Sequence, residues 1–292
     1  VVDTVDRPEP KAGEVLIRVR FAGVNPIDWK LRAGHVQRYM PIPLPATPGL
    51  DVSGTVETVG EGVTGFAVGD KVFGRGVATY AEFAVAPVAT IAQIPDGVSF
   101  EEAAALHVGG VTAWLALFDT GHLEAGQRLL IQGGAGGVGS MAVQLGHWKG
   151  AYVIATASTA NVEFVRSIGA DEVIDYTTTN VEDAVHDVDV VVDTVGGEVT
   201  AHSWSVLKRG GILVTVAGMA DAETAADRGV RTEAVARSTE TRPILEELGK
   251  LVASGHLKPE IQRVFPLEQA AQAQAASETG HGRGRILLRV AA

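Results

Sequence analysis

The hydrophobic rhythm of the chain changes once, near residue 94, and the change divides its first part from its second. In Glu14–Phe21 the apolar residues Val15, Ile17, Val19 and Phe21 alternate with Leu16, Arg18 and Arg20, the period of a strand with one face buried. Asp51–Val59, Lys71–Phe73 and Tyr80–Val85 read as further short strands, punctuated by Gly60, Gly62, Gly65 and Gly69. Short strands with glycine turns between them predict a small barrel or sandwich. After Ile94 comes the turn signal Pro95-Asp96-Gly97, and then Ser99-Phe100-Glu101-Glu102, a capping box that satisfies backbone donors at a helix start. From Arg128 onward strand and helix alternate: Leu129–Gln132, Val138–Trp148, Tyr152–Thr156, Val162–Ile168, Glu172–Ile174, Val188–Asp193, a helix near Thr200–Leu207, and Ile212–Val216. Continuous apolar runs such as Val190-Val191-Val192 predict a parallel sheet covered on both faces. Ile212–Val216 is expected at an edge of that sheet. A helix Pro243–Ser254, a strand Ile261–Pro266, an Ala/Gln-rich helix Leu267–Glu278 and a strand Arg285–Val290 close the chain. This tail fits the alternating pattern less well and is expected to return to the first domain.

Composition narrows the chemistry. A length of 292 residues suits two domains. The chain has no Cys, so disulfides, thiolate nucleophiles and Cys-ligated metals are excluded. Lys+Arg 24 against Asp+Glu 35 gives a net charge of −11, which argues against a nucleic-acid surface. The longest apolar stretch, Leu106–Phe118, is broken by Gly109 and Gly110 and is too short to span a bilayer. No basic segment followed by an apolar signal core is present, and a cytoplasmic protein is expected. The numbered sequence opens at Val1 without a methionine, which leaves room for a preceding strand.

The strongest local motif is Gly133-Gly134-Ala135-Gly136-Gly137-Val138-Gly139, directly after the strand Leu129–Gln132. Gly134, Gly136 and Gly139 fit G-x-G-x-x-G between strand and helix, the context of a dinucleotide-binding turn. Gly134 is expected to make the tight turn, Gly136 to admit the pyrophosphate, and Gly139 to pack helix on strand. The helix start supplies free N–H groups and a positive dipole end. Val138, Met141, Ala142, Leu145 and Trp148 are expected to form its apolar face. No carboxylate occurs between Ser140 and Val162, and the second strand ends in Thr156-Ala157-Ser158. NAD sites usually carry an acidic residue there, so NADP (NADPH) is favoured.

Several motifs carry a family resemblance: Gly23-Val24-Asn25-Pro26-Ile27-Asp28, Pro48-Gly49-Leu50-Asp51-Val52-Ser53-Gly54, Val59-Gly60-Glu61-Gly62-Val63, Gly69-Asp70-Lys71-Val72, and Gly109-Gly110-Val111-Thr112-Ala113-Trp114. The glycine turn, Gly169-Ala170-Asp171 and Ile174-Asp175-Tyr176 complete them. Over essentially its whole length the chain resembles the zinc-independent branch of the medium-chain dehydrogenase/reductases, of quinone-reductase and zeta-crystallin type. The resemblance implies an α/β fold, a Rossmann doubly wound parallel sheet inserted in a β-rich, chaperonin-10-like (GroES-like) catalytic domain. Residues 1–110 and 240–292 would form the catalytic domain and 111–239 the NADP-binding domain, with the active site in the cleft between them. It further implies that Asn25 lies beside nicotinamide and substrate and that Thr112 lies near the nicotinamide. Ser158 and Tyr176 would meet the 2′-phosphate, with Ala157 and Asn161 beside them. Gly137 and Val138 belong to the phosphate turn, and Val195-Gly196 and Ala217-Gly218 would line the cofactor cleft. Two departures stand out: Asn161 replaces a common lysine, for which Arg283 or Arg285 could substitute, and His107 stands where the family often has Pro.

The zinc-dependent relatives carry a Cys near position 25 and a Gly-His-Glu motif near position 50, where this chain has Asn25 and Gly49-Leu50-Asp51. No metal site is expected. Among other candidates, His35 and His107 are weighed as cleft residues, but a lone His is more often structural. Asp28 reads as a structural turn residue rather than a base. Trp29, Tyr39 and Tyr80 could form an apolar substrate wall, and Asp221, Glu223 and Asp227 a solvated face. The resemblance implies an NADPH-dependent oxidoreductase that passes hydride to a quinone or α,β-unsaturated carbonyl. Asn25 would orient the ring or donate to the developing enolate oxygen. Alternatives are an enoyl-thioester reductase and a non-catalytic NADPH-binding protein. A homodimer formed through the sheet edge is the expected assembly.

Overall fold

The computed structural model describes residues 2–38, 41–218, 221–280 and 282–290; Tyr39 and His281 lie outside them. The chain forms two compact units: residues 1–108 with 239–292, and residues 109–238.

The first unit is built on β1 (Glu14–Val24), β2 (Asp51–Val59), β3 (Lys71–Arg75), β4 (Phe83–Pro87) and β5 (Ile91–Gln93). β1 pairs with both β2 and β4. Val15, Ile17 and Val19 are fully buried as the alternation predicts, yet Phe21 is only half-buried and Ala22 and Val24 take the inward positions. The cause is a register shift against β2 between Val19 and Phe21, which flips the phase of the strand. Phe21 instead packs near Ala104, Ala105 and Leu287. The capping box forms as read: Glu102 N–H donates to Ser99 Oγ at 3.1 Å, and Ser99 N–H to Glu102 Oε2 at 2.9 Å.

The second unit holds β6 (Arg128–Gln132), β7 (Tyr152–Ala157), β8 (Glu172–Asp175), β9 (Val188–Asp193), β10 (Leu207–Thr215) and β11 (Arg231–Ala234). Their order is β11-β10-β9-β6-β7-β8, and the pairings are parallel. This is the doubly wound order, which reverses between β6 and β9 and opens a crevice at the carboxyl ends of those strands. Leu130 of β6 stands in register with Val191 and Ile154 on either side, and its cluster includes Leu213, Trp204 and Val188.

Three expectations change here. Ile212–Val216 is not an edge: β10 runs back to Leu207 and pairs with β11, a short polar strand without an apolar signature. The helix placed near Thr200–Leu207 is Glu198–Ser203, because Leu207 opens β10. The helix Gly139–Lys149 is buried on every side from Gly139 to Gly146, whereas Trp148 is 38% exposed and stacks near Trp114 and Phe118. A helix in contact with protein all round shows no single apolar face.

The chain then returns to the first unit. β12 (Ile261–Pro266) pairs with β13 (Arg285–Arg289), and β13 pairs with β1. The completed sheet has the order β12-β13-β1-β2-β3-β5, with β4 also on β1. β1 and β13 pair at Gly23–Leu287 and Val24–Ile286, which brings Arg285 to the end of β1 where Asn25 follows.

Candidate functional site

In the second unit the glycine turn hangs from the end of β6. Gly133 N–H donates to Thr156 Oγ1 at 2.9 Å and Gly134 N–H to the Thr156 carbonyl at 2.8 Å, so β7 fixes the turn. Gly133, with φ +81°, makes the sharp turn assigned above to Gly134. A Cβ on Gly134 would lie 2.8 Å from Ala155 Cβ, so that glycine serves close packing. A Cβ on Gly139 would lie 2.1 Å from the Gly133 carbonyl oxygen, so Gly139 packs against the turn itself. A Cβ on Gly136 would meet nothing closer than 3.5 Å, so its Cα surface is open. Among the described residues, the N–H groups of Gly137 and Val138 meet no protein acceptor. They sit at the start of an eleven-residue helix, where dipole and unpaired donors together favour an anion.

Along the same sheet edge, Ala157 pairs with Asp175, and Tyr176 N–H donates to the Ala157 carbonyl at 3.2 Å. Asn161 Nδ2 donates to Ser158 Oγ at 3.1 Å, which leaves the serine proton for another acceptor. Tyr176 is 53% exposed. The structure thus brings Ala157, Ser158, Asn161 and Tyr176 together. It also adds Asp175, which the sequence reading passed over. Hydrogen bonds from Thr159 Oγ1, at 2.6 Å, and from Thr177 hold the Asp175 carboxyl below its usual range, so it stays ionised.

At the end of β9, Asp193 Oδ1 accepts the N–H groups of Val195 and Gly196, each at 2.9 Å. Gly196 approaches Ala217 so closely that a Cβ would lie 2.4 Å from its carbonyl oxygen. The pairs Val195-Gly196 and Ala217-Gly218 therefore converge. Beside them is a recess of about 460 Å³ lined by Gly197, Thr200, Trp204, Ala217, Gly218 and Asp221 among others. Asp221 is the cap of the helix Ala222–Arg228, accepting from Glu223 N–H at 2.9 Å, and not merely part of a solvated face. Thr112 is half-buried in the helical segment after Gly110.

In the first unit the sequence motifs converge on a buried polar cluster. Asn25 precedes the helix Pro26–Arg32 and is fully buried. Its N–H donates to Asp28 Oδ2 at 2.8 Å, and Tyr80 Oη donates to the same oxygen at 2.9 Å. The Tyr80 ring packs in the apolar core of the first unit while its hydroxyl serves Asp28. Burial pushes the Asp28 carboxyl up to about 6, against the pull of those two donors. Asp51 receives Val108 N–H at 2.8 Å and His107 Nδ1 at 3.2 Å on Oδ1, and Asn25 Nδ2 at 3.1 Å and Arg285 Nη2 on Oδ2. Burial opposes its ionisation, yet Arg285 and His107 hold the carboxyl below its usual range. Arg285 is 4% exposed and committed to Asp51, and Arg283 pairs with Glu260. The Asp51–Arg285 pair was missed because its partners are 234 residues apart. An arginine directly before the apolar run Ile286-Leu287-Leu288 was its one signal.

Residues 11–96 match the family described as alcohol dehydrogenase GroES-like domain, and residues 168–288 match zinc-binding dehydrogenase. The chain is 34% identical to a quinone oxidoreductase of Sus scrofa, covering 95% of this chain and 88% of the relative. It is 35% identical to an NADPH-dependent alkenal/one oxidoreductase of Arabidopsis thaliana, covering 96% of this chain and 73% of the relative. The solved quinone oxidoreductase of Coxiella burnetii superposes with a TM-score of 0.91 at 36% identity, covering 98% of this chain and 93% of that one. The chain belongs to the medium-chain dehydrogenase/reductases, in the quinone oxidoreductase branch.

The zinc named by one matching family does not fit these residues. Among the described residues no cluster of three metal-binding side chains occurs. Asp51, the one carboxylate near Asn25 with a full set of partners, already has the Arg285 guanidinium as its cation. A second cation there would meet like charge in a buried site.

Proposed function

We propose that this protein is an NADPH-dependent reductase of quinones or α,β-unsaturated carbonyls that works without zinc. The observation that carries this reading is the carboxyl edge of the parallel sheet. There a glycine turn with an open Gly136 and free N–H groups ends one strand, and the hydroxyl-bearing residues Ser158 and Tyr176 follow the two strands next to it. The pyrophosphate would lie on Gly134, Gly136, Gly137, Val138 and Gly139. The 2′-phosphate would lie on Ser158, Tyr176, Asn161 and the Ala157 backbone, with Thr112, Val195, Gly196, Ala217 and Gly218 flanking the remainder. When bound, the cofactor supplies the hydride. The protein contributes binding, orientation and a dry, polar setting for the carbonyl oxygen on which charge develops. Asn25 is the residue assigned to that orientation. A homodimer in the cytoplasm is the proposed working form; no helix among the described residues is long and apolar enough to cross a membrane.

The test is NADPH oxidation with a panel of simple quinones, alkenals, enones and enoyl thioesters. Turnover with quinones or enones is expected, with NADPH preferred to NADH by about tenfold or more, as two hydroxyl hydrogen bonds to a phosphate warrant. Turnover confined to enoyl thioesters would move the protein to a thioester pathway. Tight NADPH binding without turnover on any acceptor would overturn the enzymatic reading.

A further inference from the structure

β6 ends on a polar residue, Gln132, directly after the apolar run Leu129-Leu130-Ile131. Gln132 is 2% exposed and stands opposite Asp193, where the order of the strands reverses. Its side chain lies in a one-way chain of hydrogen bonds. Thr156 Oγ1 donates to Gln132 Oε1 at 3.0 Å, Gln132 Nε2 to Ser203 Oγ at 3.1 Å, and Ser203 Oγ to the Val199 carbonyl at 2.7 Å. At the near end Thr156 Oγ1 accepts Gly133 N–H at 2.9 Å. The polarity is forced. A hydroxyl has one proton, and with the amide reversed the Thr156 proton would face an N–H and lose its acceptor. The Gln132 carbonyl holds the opposite side, accepting Thr194 Oγ1 at 2.7 Å. A buried amide is costly unless it is satisfied in this way, and an apolar side chain would fill the place without that demand.

We infer that Gln132 is a positioning residue of the dinucleotide site: by orienting the Thr156 hydroxyl it holds Gly133, and with it the glycine turn, in the form that receives a pyrophosphate. The inference rests on the reading of that turn as the pyrophosphate site and deepens it. Every member of the chain belongs to the second unit. Gln132 is too deeply buried to touch a nucleotide and acts through Thr156. Gly133, with φ +81°, leads into the open Gly136 and the free N–H groups of Gly137 and Val138, so whatever fixes Gly133 fixes where those donors point. Without Gln132 the Thr156 proton must find another acceptor, and the hydroxyl turns with it. The hold on Gly133 then slackens, and binding has to order the turn again. Ser158 and Tyr176 take no part in the chain, so the 2′-phosphate side should not feel the loss.

The test is calorimetric titration of the intact chain with NADP⁺ and with NAD⁺, well below the melting temperature of each variant. Gln132→Leu, or Gln132→Met if the first does not fold, is expected to weaken both nucleotides by the same factor, about three- to tenfold, the scale of one neutral hydrogen bond. Thr156→Val is expected to do the same. The double variant should lose no more than the weaker-binding single, because the two side chains share one bond. Thr156→Ser keeps the hydroxyl and is expected to recover most of the affinity. Folded variants that melt earlier yet bind both nucleotides like the wild type would show that the chain of bonds serves stability only, and would overturn the inference. A loss confined to NADP⁺ would place the effect at Ser158 and overturn it as well. A wild-type chain that binds neither nucleotide would overturn the pyrophosphate reading itself.

Discussion

Two carboxylates within one polar cluster should answer pH with opposite signs. Asp28 is raised from 3.8 to about 6 by burial, so its protonated form stabilises the fold fully below about pH 4. That contribution is lost as pH rises through about 6. The difference of roughly two pK units corresponds to about 3 kcal/mol. Asp28→Asn keeps a carbonyl that can accept from Asn25 N–H and Tyr80 Oη, and it cannot ionise. Its urea-unfolding free energy, measured against the wild type, should improve by about 2–3 kcal/mol between pH 4 and pH 7.5; a constant difference would show that Asp28 titrates normally. Asp51 has the other sign: its lowered carboxyl stabilises the fold at neutral pH and loses that contribution in acid. At the surface, Asp175 sets an ionised carboxylate opposite Ala157, next to Ser158 and Tyr176 in the chain, and a 2′-phosphate bound as proposed there would meet its repulsion. Asp175→Asn should tighten NADPH binding severalfold and leave NADH nearly unchanged, with the gain shrinking in high salt as screening sets in. An equal gain for both nucleotides would show that the effect is not aimed at the phosphate.

At the scale of elements, the glycine turn separates fold from ligand. Gly139→Ala would drive a methyl to 2.1 Å from the Gly133 carbonyl oxygen, so the turn must open. Melting temperature and NADPH affinity should both fall. Gly136→Ala meets nothing closer than 3.5 Å. The melting temperature should hold within a degree or two while NADPH affinity drops at least tenfold, because the methyl would occupy the surface proposed for the pyrophosphate. A Gly136→Ala variant that binds normally would remove the phosphates from that turn. The turn was legible in the sequence because its glycines answer to local backbone geometry, as did the Ser99–Glu102 capping box. β11 was not: Arg231, Thr232 and Glu233 carry no apolar alternation, and the strand exists only because β10 offers it hydrogen bonds. The phase flip at Phe21 was hidden for a related reason, since a bulge depends on the partner strand. Asn25 and Asp28 announced themselves in one local motif. Arg285 became part of that site only when β13 closed onto β1, a pairing that no local pattern encodes.

At the scale of the whole molecule, activity should survive exhaustive chelation, because the chain has no Cys and the carboxylate beside Asn25 is already paired with Arg285. Restoration by zinc after loss to EDTA would reverse that conclusion. The assembly expectation must move with the sheet edge, from Ile212–Val216 to β11. An exposed edge offers unpaired backbone groups that proteins cover or protect, and β11 is short, with Arg231 and Glu233 both exposed. These two residues flank Thr232 on the same side of the strand. If two copies join their β11 edges antiparallel about a two-fold axis at Thr232, each Arg231 falls opposite the Glu233 of the other copy, the self-complementary arrangement that such symmetry demands. Sedimentation at micromolar concentration should therefore give a two-chain species. Glu233→Arg should shift it toward monomer by setting like charges across the seam, and adding Arg231→Glu should restore it. A wild-type monomer would defeat the dimer outright. A dimer indifferent to Glu233→Arg would place its seam elsewhere on the surface.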